Sequence, residues 1–276
     1  MTDLLQRYAG KTASALGHNS KAVQLFRPMY ESLLDWASLK KGIPWSINGV
    51  EYRVDPHHRH RLGHEYDPPV ASLLAKLIQP GWVCVDVGAN VGVYVLQLAR
   101  WSGPDGYVVA FEPNPEARKV LHRHIRLNGF HKRVRVEPFA IAESGVAKAT
   151  LFRAGADGMS RLGEPNQALA SSAVPLEVDT TSLDAYCGST GLQPNLLLLD
   201  IEGFEIAALS SARKLIQERG KNLEIIVEMH PSVWSSADTT RRRAELLLSE
   251  LGRIPVPLTG QADPLADHGT VRLVPA

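Results

Sequence analysis

The sequence predicts a doubly wound α/β fold, a mostly parallel sheet with helices on both faces, and three observations carry that expectation. Short apolar runs alternate with helix-spaced segments from residue 70 to residue 251. Several of those runs end in an acidic residue and a turn, as in VCVDVG, VVAFEP and LLLLDIEG, and an open parallel sheet collects its functional groups at such strand ends. A chain of 276 residues that is 44% hydrophobic can fill one such core and carry an appendage.

Residues 1–20 are polar and irregular. Val23, Phe26, Tyr30, Leu33, Leu34 and Trp36 then recur at helical spacing, interrupted by Pro28. In WSINGVEYRV, Asn48-Gly49 lies between short alternating runs, which is a hairpin signal. His57, His58, His60 and His64 follow with no zinc-like spacing, so they are read as a solvated loop without metal. Residues 1–65 are thus expected to form a helical and hairpin extension, either a lid or an oligomerisation element, before a main domain over residues 66–276. Val70, Leu73, Leu74, Leu77 and Ile78 make a helix that Pro80-Gly81 ends. The strand VCVDV, the loop GANVG and a helix come next. Asn114 can cap a helix with Pro115 in its first turn, and Asn128-Gly129 stops it. The run RVRVEPF is a further strand. AKATLFRA and AVPLEVDTTSLD read as a strand pair, joined by a mobile connection over residues 155–172 that holds Ser160 and Arg161 as weak substrate-loop candidates. NLLLLDIEGFEIAALSSARKLI repeats the strand, acid and helix order, with one helix carrying Ile206, Leu209, Ala212 and Leu215. LEIIVEMH is the next strand, a helix spans 241–251, and two last β-like runs close an antiparallel edge.

The loop after the first central strand dictates the ligand class. Gly88 and Gly92 supply the backbone freedom of a sharp turn over which a ligand can lie. A dinucleotide loop would place glycine where this chain has Asn90 and Val93, which disfavours a nicotinamide dehydrogenase. Glu112, at the end of the next apolar run, suits a carboxylate that accepts two ribose hydroxyls. Asp86 just before the loop would repel a pyrophosphate but attract an ammonium or sulfonium. The combination favours S-adenosylmethionine. Phe139-Ala140-Ile141-Ala142 lies where an adenine ring would rest.

Composition limits the alternatives. Thirty Lys and Arg against 29 Asp and Glu give a net charge of +1, so no global field points to nucleic acid or an anionic membrane. No signal peptide or membrane-length apolar run is evident. Two cysteines, Cys84 and Cys187, give no disulfide framework and suit a reducing compartment; the expectation is a cytoplasmic protein.

The motifs DVGANVG, VVAFEPNP, RLNGF, VEPFAIAESG, SLDAY, LLDIEGFE and VEMH, in this order across residues 66–230, resemble the FkbM family of S-adenosylmethionine-dependent methyltransferases. The resemblance implies a class I methyltransferase fold, Rossmann-like, with a seven-stranded sheet and an N-terminal extension. It implies cofactor contacts from Asp86, Gly88, Asn90, Gly92 and Glu112, which Tyr66, Ala89, Pro113, Phe139, Ala140 and Asp200 complete, and O-methylation of a small molecule or glycan, with S-adenosylhomocysteine as product. Two positions depart from the family pattern: Leu198 stands where lysine is common, and His124 where asparagine is.

Catalysis is expected from Asp200, Glu202 and His230 at the strand ends, with His230 or Asp200 taking the acceptor proton and Glu202 positioning it. A divalent metal held by Asp200, Glu202, Glu228 and His230 is an alternative that is not favoured. Asp184 is read as a helix cap and Glu205 as a surface or capping charge. N-methylation, or a non-catalytic adenosine-cofactor binding or assembly role, remains open, as does a homodimer built on the N-terminal helices.

Overall fold

Alternating apolar strands of four to seven residues pair into one central sheet in the computed structural model, which describes residues 21–143, 146–153, 160–163 and 173–276. Helix α1 (Lys21–Ala37) leads to the hairpin β1 (Ile43–Ile47) and β2 (Val50–Val54), a 3-10 turn at Pro56–Arg61, and α2 (Pro68–Leu77). The core follows as β3 (Val83–Val87), α3 (Val93–Trp101), β4 (Tyr107–Phe111), α4 (Pro115–Leu127), β5 (Val134–Glu137) and the short β6 (Ala140–Ile141). Strands β7 (Lys148–Arg153), β8 (Arg161–Leu162) and β9 (Val174–Thr181) precede α5 (Leu183–Thr190) and β10 (Leu196–Leu199). Helices α6 (Glu205–Ser210) and α7 (Arg213–Arg219), strand β11 (Glu224–Met229), helix α8 (Arg241–Glu250) and strands β12 (Arg253–Pro257) and β13 (Gly269–Pro275) complete it.

The seven-stranded sheet has the order β12-β13-β11-β10-β3-β4-β5. Strand β13 runs antiparallel to both its neighbours, β11 and β12, and the pairs from β11 to β5 are parallel. From β3 the chain runs outward to β4 and β5, then returns to β10 on the other flank of β3. The loops after β3 and β10 therefore part in opposite directions and open a crevice at the strand carboxyl ends. A smaller sheet, β6-β9-β7-β8, stands beside it. The expected pair of AKATLFRA and AVPLEVDTTSLD is β7 with β9; the expected mobile connection between them falls outside the described residues except for 160–163.

Period-2 alternation divides the strands between two cores. Cys84, Val108, Ala110, Leu196 and Leu198 pack to one face with α2 and α3. Val85, Val109, Phe111, Leu197 and Leu199 pack to the other with α5 to α8. Leu34, Ile43, Ile47 and Val54 of the N-terminal segment join the first of these clusters. Among the described residues no helix is long and apolar enough to cross a membrane.

Three local expectations are corrected. Helix α1 runs through Pro28 without interruption; Leu34 is fully buried on its inner face, and Glu31 pairs with Arg59 at 3.1 Å. The histidine-rich stretch forms a 3-10 turn in which His57 and His58 are half-buried, while His60 and His64 are exposed as expected. Asp55 caps its 3-10 turn by accepting from the His57 amide and lies against the rings of His57 and His58, while His64 stacks on Trp45 at 4.0 Å. The single helix expected after β10 is two, broken at Ser211 and Ala212. The carbonyl and hydroxyl of the buried Ser211 accept the amides of Asp184 and Leu183, and the Asp184 carboxylate caps α7 by accepting from the amides of Lys214 and Leu215.

His124, one of the two positions that depart from the family pattern, is fully buried in α4 with Nδ1 2.7 Å from the Val91 carbonyl oxygen of the loop after β3. An asparagine amide could donate the same bond. Burial, opposed by that bond, pushes the His124 pKa down to about 4. The unfolded ring takes a proton near pH 6.5 and the folded ring does not, so the stability held above pH 6.5 is lost as pH falls toward 4. His124→Asn should therefore lose less stability than the parent on going from pH 7.5 to 5, by about 2 kcal/mol. Urea unfolding at the two pH values measures this, and identical losses would contradict it.

Candidate active site

The crevice is a cavity of about 740 Å³ lined by residues from the loops after β3, β4, β5, β10 and β11 and from the N-terminal segment. Its floor begins at Gly88, which has φ +92° and could not be otherwise. A Cβ there would lie 1.9 Å from the Asp200 carbonyl oxygen and 2.9 Å from Ile201 Cγ2. The amides of Gly88 and Ala89 both donate to the Phe111 carbonyl at 3.0 Å, and the Asp200 amide donates to Val87 at 2.9 Å. Three strand ends are thus drawn together at one point.

Glu112 holds the next wall. Its Oε2 accepts the Asn90 amide and its Oε1 the Asn114 amide, both at 2.7 Å. Each carboxylate oxygen has a second lone pair, so the group can still accept two hydroxyls from the cavity. Burial pushes its pKa up to about 7, against the backbone bonds and the charges of Arg118 and Arg61. Arg61 Nη2 donates to Asn90 Oδ1 at 2.5 Å across the loop. Phe111, Ala117, Phe139, Ala140 and Ile141 make this end apolar.

Tyr66 lines the opposite side, and the hairpin explains its place. Asn48, with φ +48°, and Gly49, with φ +80°, form the two-residue turn between β1 and β2. The Asn48 amide group accepts from the Tyr66 backbone N–H at 2.9 Å and donates to its carbonyl at 2.8 Å. The N-terminal hairpin thereby fixes one side of the cavity.

The other end is acidic. Asp200, Glu202 and Glu228 line it together with His230, Ser232 and His268. Desolvation and the neighbouring Glu228 raise Asp200 well above the usual carboxylate range, with His230 pulling the other way. His230 Nδ1 bonds Glu205 Oε1 at 2.6 Å, and Nε2 lies 3.7 Å from Glu228. Burial works to lower the pKa of His230, but the bond and charge of Glu205, with Glu228 and Asp200, outweigh it and carry it up to about 9. Its proton affinity is therefore set by these carboxyl neighbours and not by the intrinsic value of an imidazole.

Of the residues expected from sequence, Tyr66, Gly88, Asn90, Glu112, Pro113, Phe139, Ala140, Asp200, Glu202 and His230 line the cavity. Asp86, Ala89 and Gly92 sit behind the lining. Ala89 turns into the core, and a Cβ on Gly92 would lie 2.5 Å from Leu121 Cδ1, so Gly92 serves loop packing. Asp86 is 2% exposed and its Oδ2 has no hydrogen-bond partner; burial, then Glu112, pushes its carboxyl up to about 7. Leu198 pairs with Asp86 across the β3/β10 ladder, so the departure from lysine leaves that carboxyl with an apolar neighbour.

Glu205 is a correction. It is fully buried and accepts from the Gly203 amide, His230 Nδ1 and Trp234 Nε1, so it orients His230 and is no surface charge. Its place two residues after Gly203 in the DIEGFE motif was the available signal. His268 was missed because only the pairing of β13 on β11 brings it near.

The chain matches the family described as Methyltransferase FkbM domain over residues 86–254. No curated protein matches it in sequence. Among solved structures it is similar to the methyltransferase FkbM of Methylobacillus flagellatus, with 17% identity, TM-score 0.46, 71% of this chain covered and only 44% of that one. It is also similar to Aeropyrum pernix fibrillarin in complex with S-adenosyl-L-methionine, with 14% identity, TM-score 0.44, and 84% and 82% of the two chains covered. A third is a SAM-dependent O-methyltransferase of Thermotoga maritima, with 14% identity, TM-score 0.43, and 75% and 65% covered.

Gly88→Ala combines a positive φ with a collision against backbone, which no rotamer relieves. It should lower stability by about 2–3 kcal/mol in denaturant unfolding; an unchanged midpoint would contradict the close approach.

Proposed function

Because the chain belongs to the FkbM methyltransferase family, we propose that it transfers a methyl group from S-adenosylmethionine to a hydroxyl of a small molecule or sugar. The observation that carries the cofactor is Glu112, ionisable and buried, with its backbone bonds made and lone pairs left beside a glycine loop. Four carboxyl groups, Glu112, Asp200, Glu202 and Glu228, line the cavity against one guanidinium, Arg61, and Asp86, whose Oδ2 has no hydrogen-bond partner, lies behind it. Such a field favours a cationic ligand over a diphosphate, which supports the sulfonium cofactor over a nicotinamide dinucleotide.

Glu112 would hold the ribose, Phe139, Ala140 and Ile141 the adenine, and Asp86 with the loop amides the charged amino acid end. When bound, the cofactor supplies a methyl carbon on a positively charged sulfur, open to displacement in line with the departing sulfide. The residues of the chain must do the rest: align the acceptor oxygen, exclude water and take a proton. Asp200, whose buried carboxyl has its proton affinity raised by desolvation and by the neighbouring Glu228, lies at the acidic end of the cavity and would receive the proton of the acceptor hydroxyl. The acceptor oxygen forms its bond to carbon, the carbon–sulfur pair stays on sulfur as a neutral thioether, and charge is balanced. Glu202 lines the same end and would orient the acceptor.

The test separates cofactor from chemistry. Glu112→Ala should weaken calorimetric binding of S-adenosylhomocysteine by about 100-fold, as two charge-assisted hydrogen bonds are lost. Asp200→Asn should leave that affinity within about threefold but slow methyl transfer from labelled cofactor into a host extract by about 100-fold or more. Unchanged affinity in the first variant, or unchanged turnover in the second, would refute the assignment.

A further inference from the structure

At the acidic end of the cavity three side chains of different chemistry converge on one point. Glu228 lies near the end of β11 and His230 just beyond it, and both line the cavity. The antiparallel register pairs Glu228 with Thr270 and Met229 with Gly269, and just past that last pair the rings of His230 and His268 lie with centroids 4.8 Å apart. The result is a carboxylate and two imidazoles whose ligating atoms all lie within 4.8 Å of one another. Glu228 Oε1 is 3.0 Å from His268 Nε2 and 3.7 Å from His230 Nε2. Ligands about 2.1 Å from one ion lie no more than about 4.2 Å apart, so those two spacings already fit. The third needs at most a small rotation of His268, whose side chain is 60% exposed.

A second, independent observation is what lies behind His230. Histidines that bind metal donate their other ring N–H to a carboxylate or carbonyl, which fixes the tautomer and leaves the free nitrogen toward the ion. His230 Nδ1 is bonded to Glu205, which is fully buried and is fixed in turn by Trp234 Nε1 and the Gly203 amide. That leaves Nε2 on the side of Glu228 and the cavity.

We propose that Glu228, His230 and His268 form a binding site for a divalent first-row transition ion at the acceptor end of the cavity. Two imidazoles and one carboxylate suit Zn²⁺, Co²⁺ or Mn²⁺ rather than the oxygen-seeking Mg²⁺ or Ca²⁺. Three protein ligands leave coordination positions open toward the cavity, so the acceptor class is a molecule with two adjacent oxygens, such as a vicinal diol, that both reach the ion. What the ion does rests on the methyl-transfer reading; whether it binds does not.

The experiment uses the full, tag-free chain stripped with chelator and dialysed. Calorimetry with Zn²⁺ and the visible spectrum on adding Co²⁺ should show one equivalent bound, with Mg²⁺ at least about 100-fold weaker. His268→Ala and Glu228→Gln should each lower Zn²⁺ affinity by about 100-fold or more. Glu205→Gln should lower it by about 10- to 100-fold with the Co²⁺ spectrum altered. S-adenosylhomocysteine binding is measured on every variant. Unchanged metal affinity in His268→Ala, or no stoichiometric binding by the parent chain, overturns the site while leaving the cofactor reading intact. Metal binding without S-adenosylhomocysteine binding would overturn the cofactor reading alone.

Discussion

The approach of Gly88 to the Asp200 carbonyl oxygen is the constraint on which the rest of the structure depends. The two strand ends come so close that no side chain fits between them. The glycine loop therefore lies against the acidic turn after β10, and the apolar end of the cavity meets the acidic end with no spacer. A sheet that changes winding direction between β3 and β10 opens a crevice at that position for topological reasons alone. Gly88 makes the crevice narrow, and the bonds from the Gly88 and Ala89 amides to Phe111 make it rigid.

The consequence is a concentration of negative charge where water is scarce. Asp86 and Glu112 are both pushed up to about 7 by burial, and Asp200 is raised by desolvation and Glu228. Unpaired buried carboxylates cost stability, and sites that keep them do so for a ligand or a reaction. Here the cost falls in two places. Around Asp86, with Leu198 beside it, a cationic cofactor would provide the missing partner. Around Asp200 and Glu228, the His230 ring and an ion at the β11/β13 edge are the compensations the geometry offers.

Legibility in the sequence followed locality. The sheet, its antiparallel edge and the loop at residues 88–92 were readable because apolar period and glycine placement are local signals. Glu112 could be placed at the crevice because an acid ending a buried run of a parallel sheet lies at a strand carboxyl end, and it stands in the cavity wall. Asp86 and Gly92 lie behind the cavity lining, since motif spacing fixes the backbone but not the direction of a side chain. Glu205 looked like a capping charge because nothing local shows that α6 turns it inward under Trp234 and His230. Asn48 and His268 act across 18 and 38 residues, on Tyr66 and His230, through a hairpin and a strand pairing. Only the folded topology carries such signals.

The most direct measurement is a crystal structure of the chain with S-adenosylhomocysteine. Both ribose hydroxyls should lie within hydrogen-bond distance of Glu112, the adenine against Phe139 and Ile141, and the amino group on the Asp86 side of the Gly88 loop. A nucleoside bound elsewhere, or a ribose turned away from Glu112 in a filled crevice, would contradict the central claim that this carboxylate selects the cofactor.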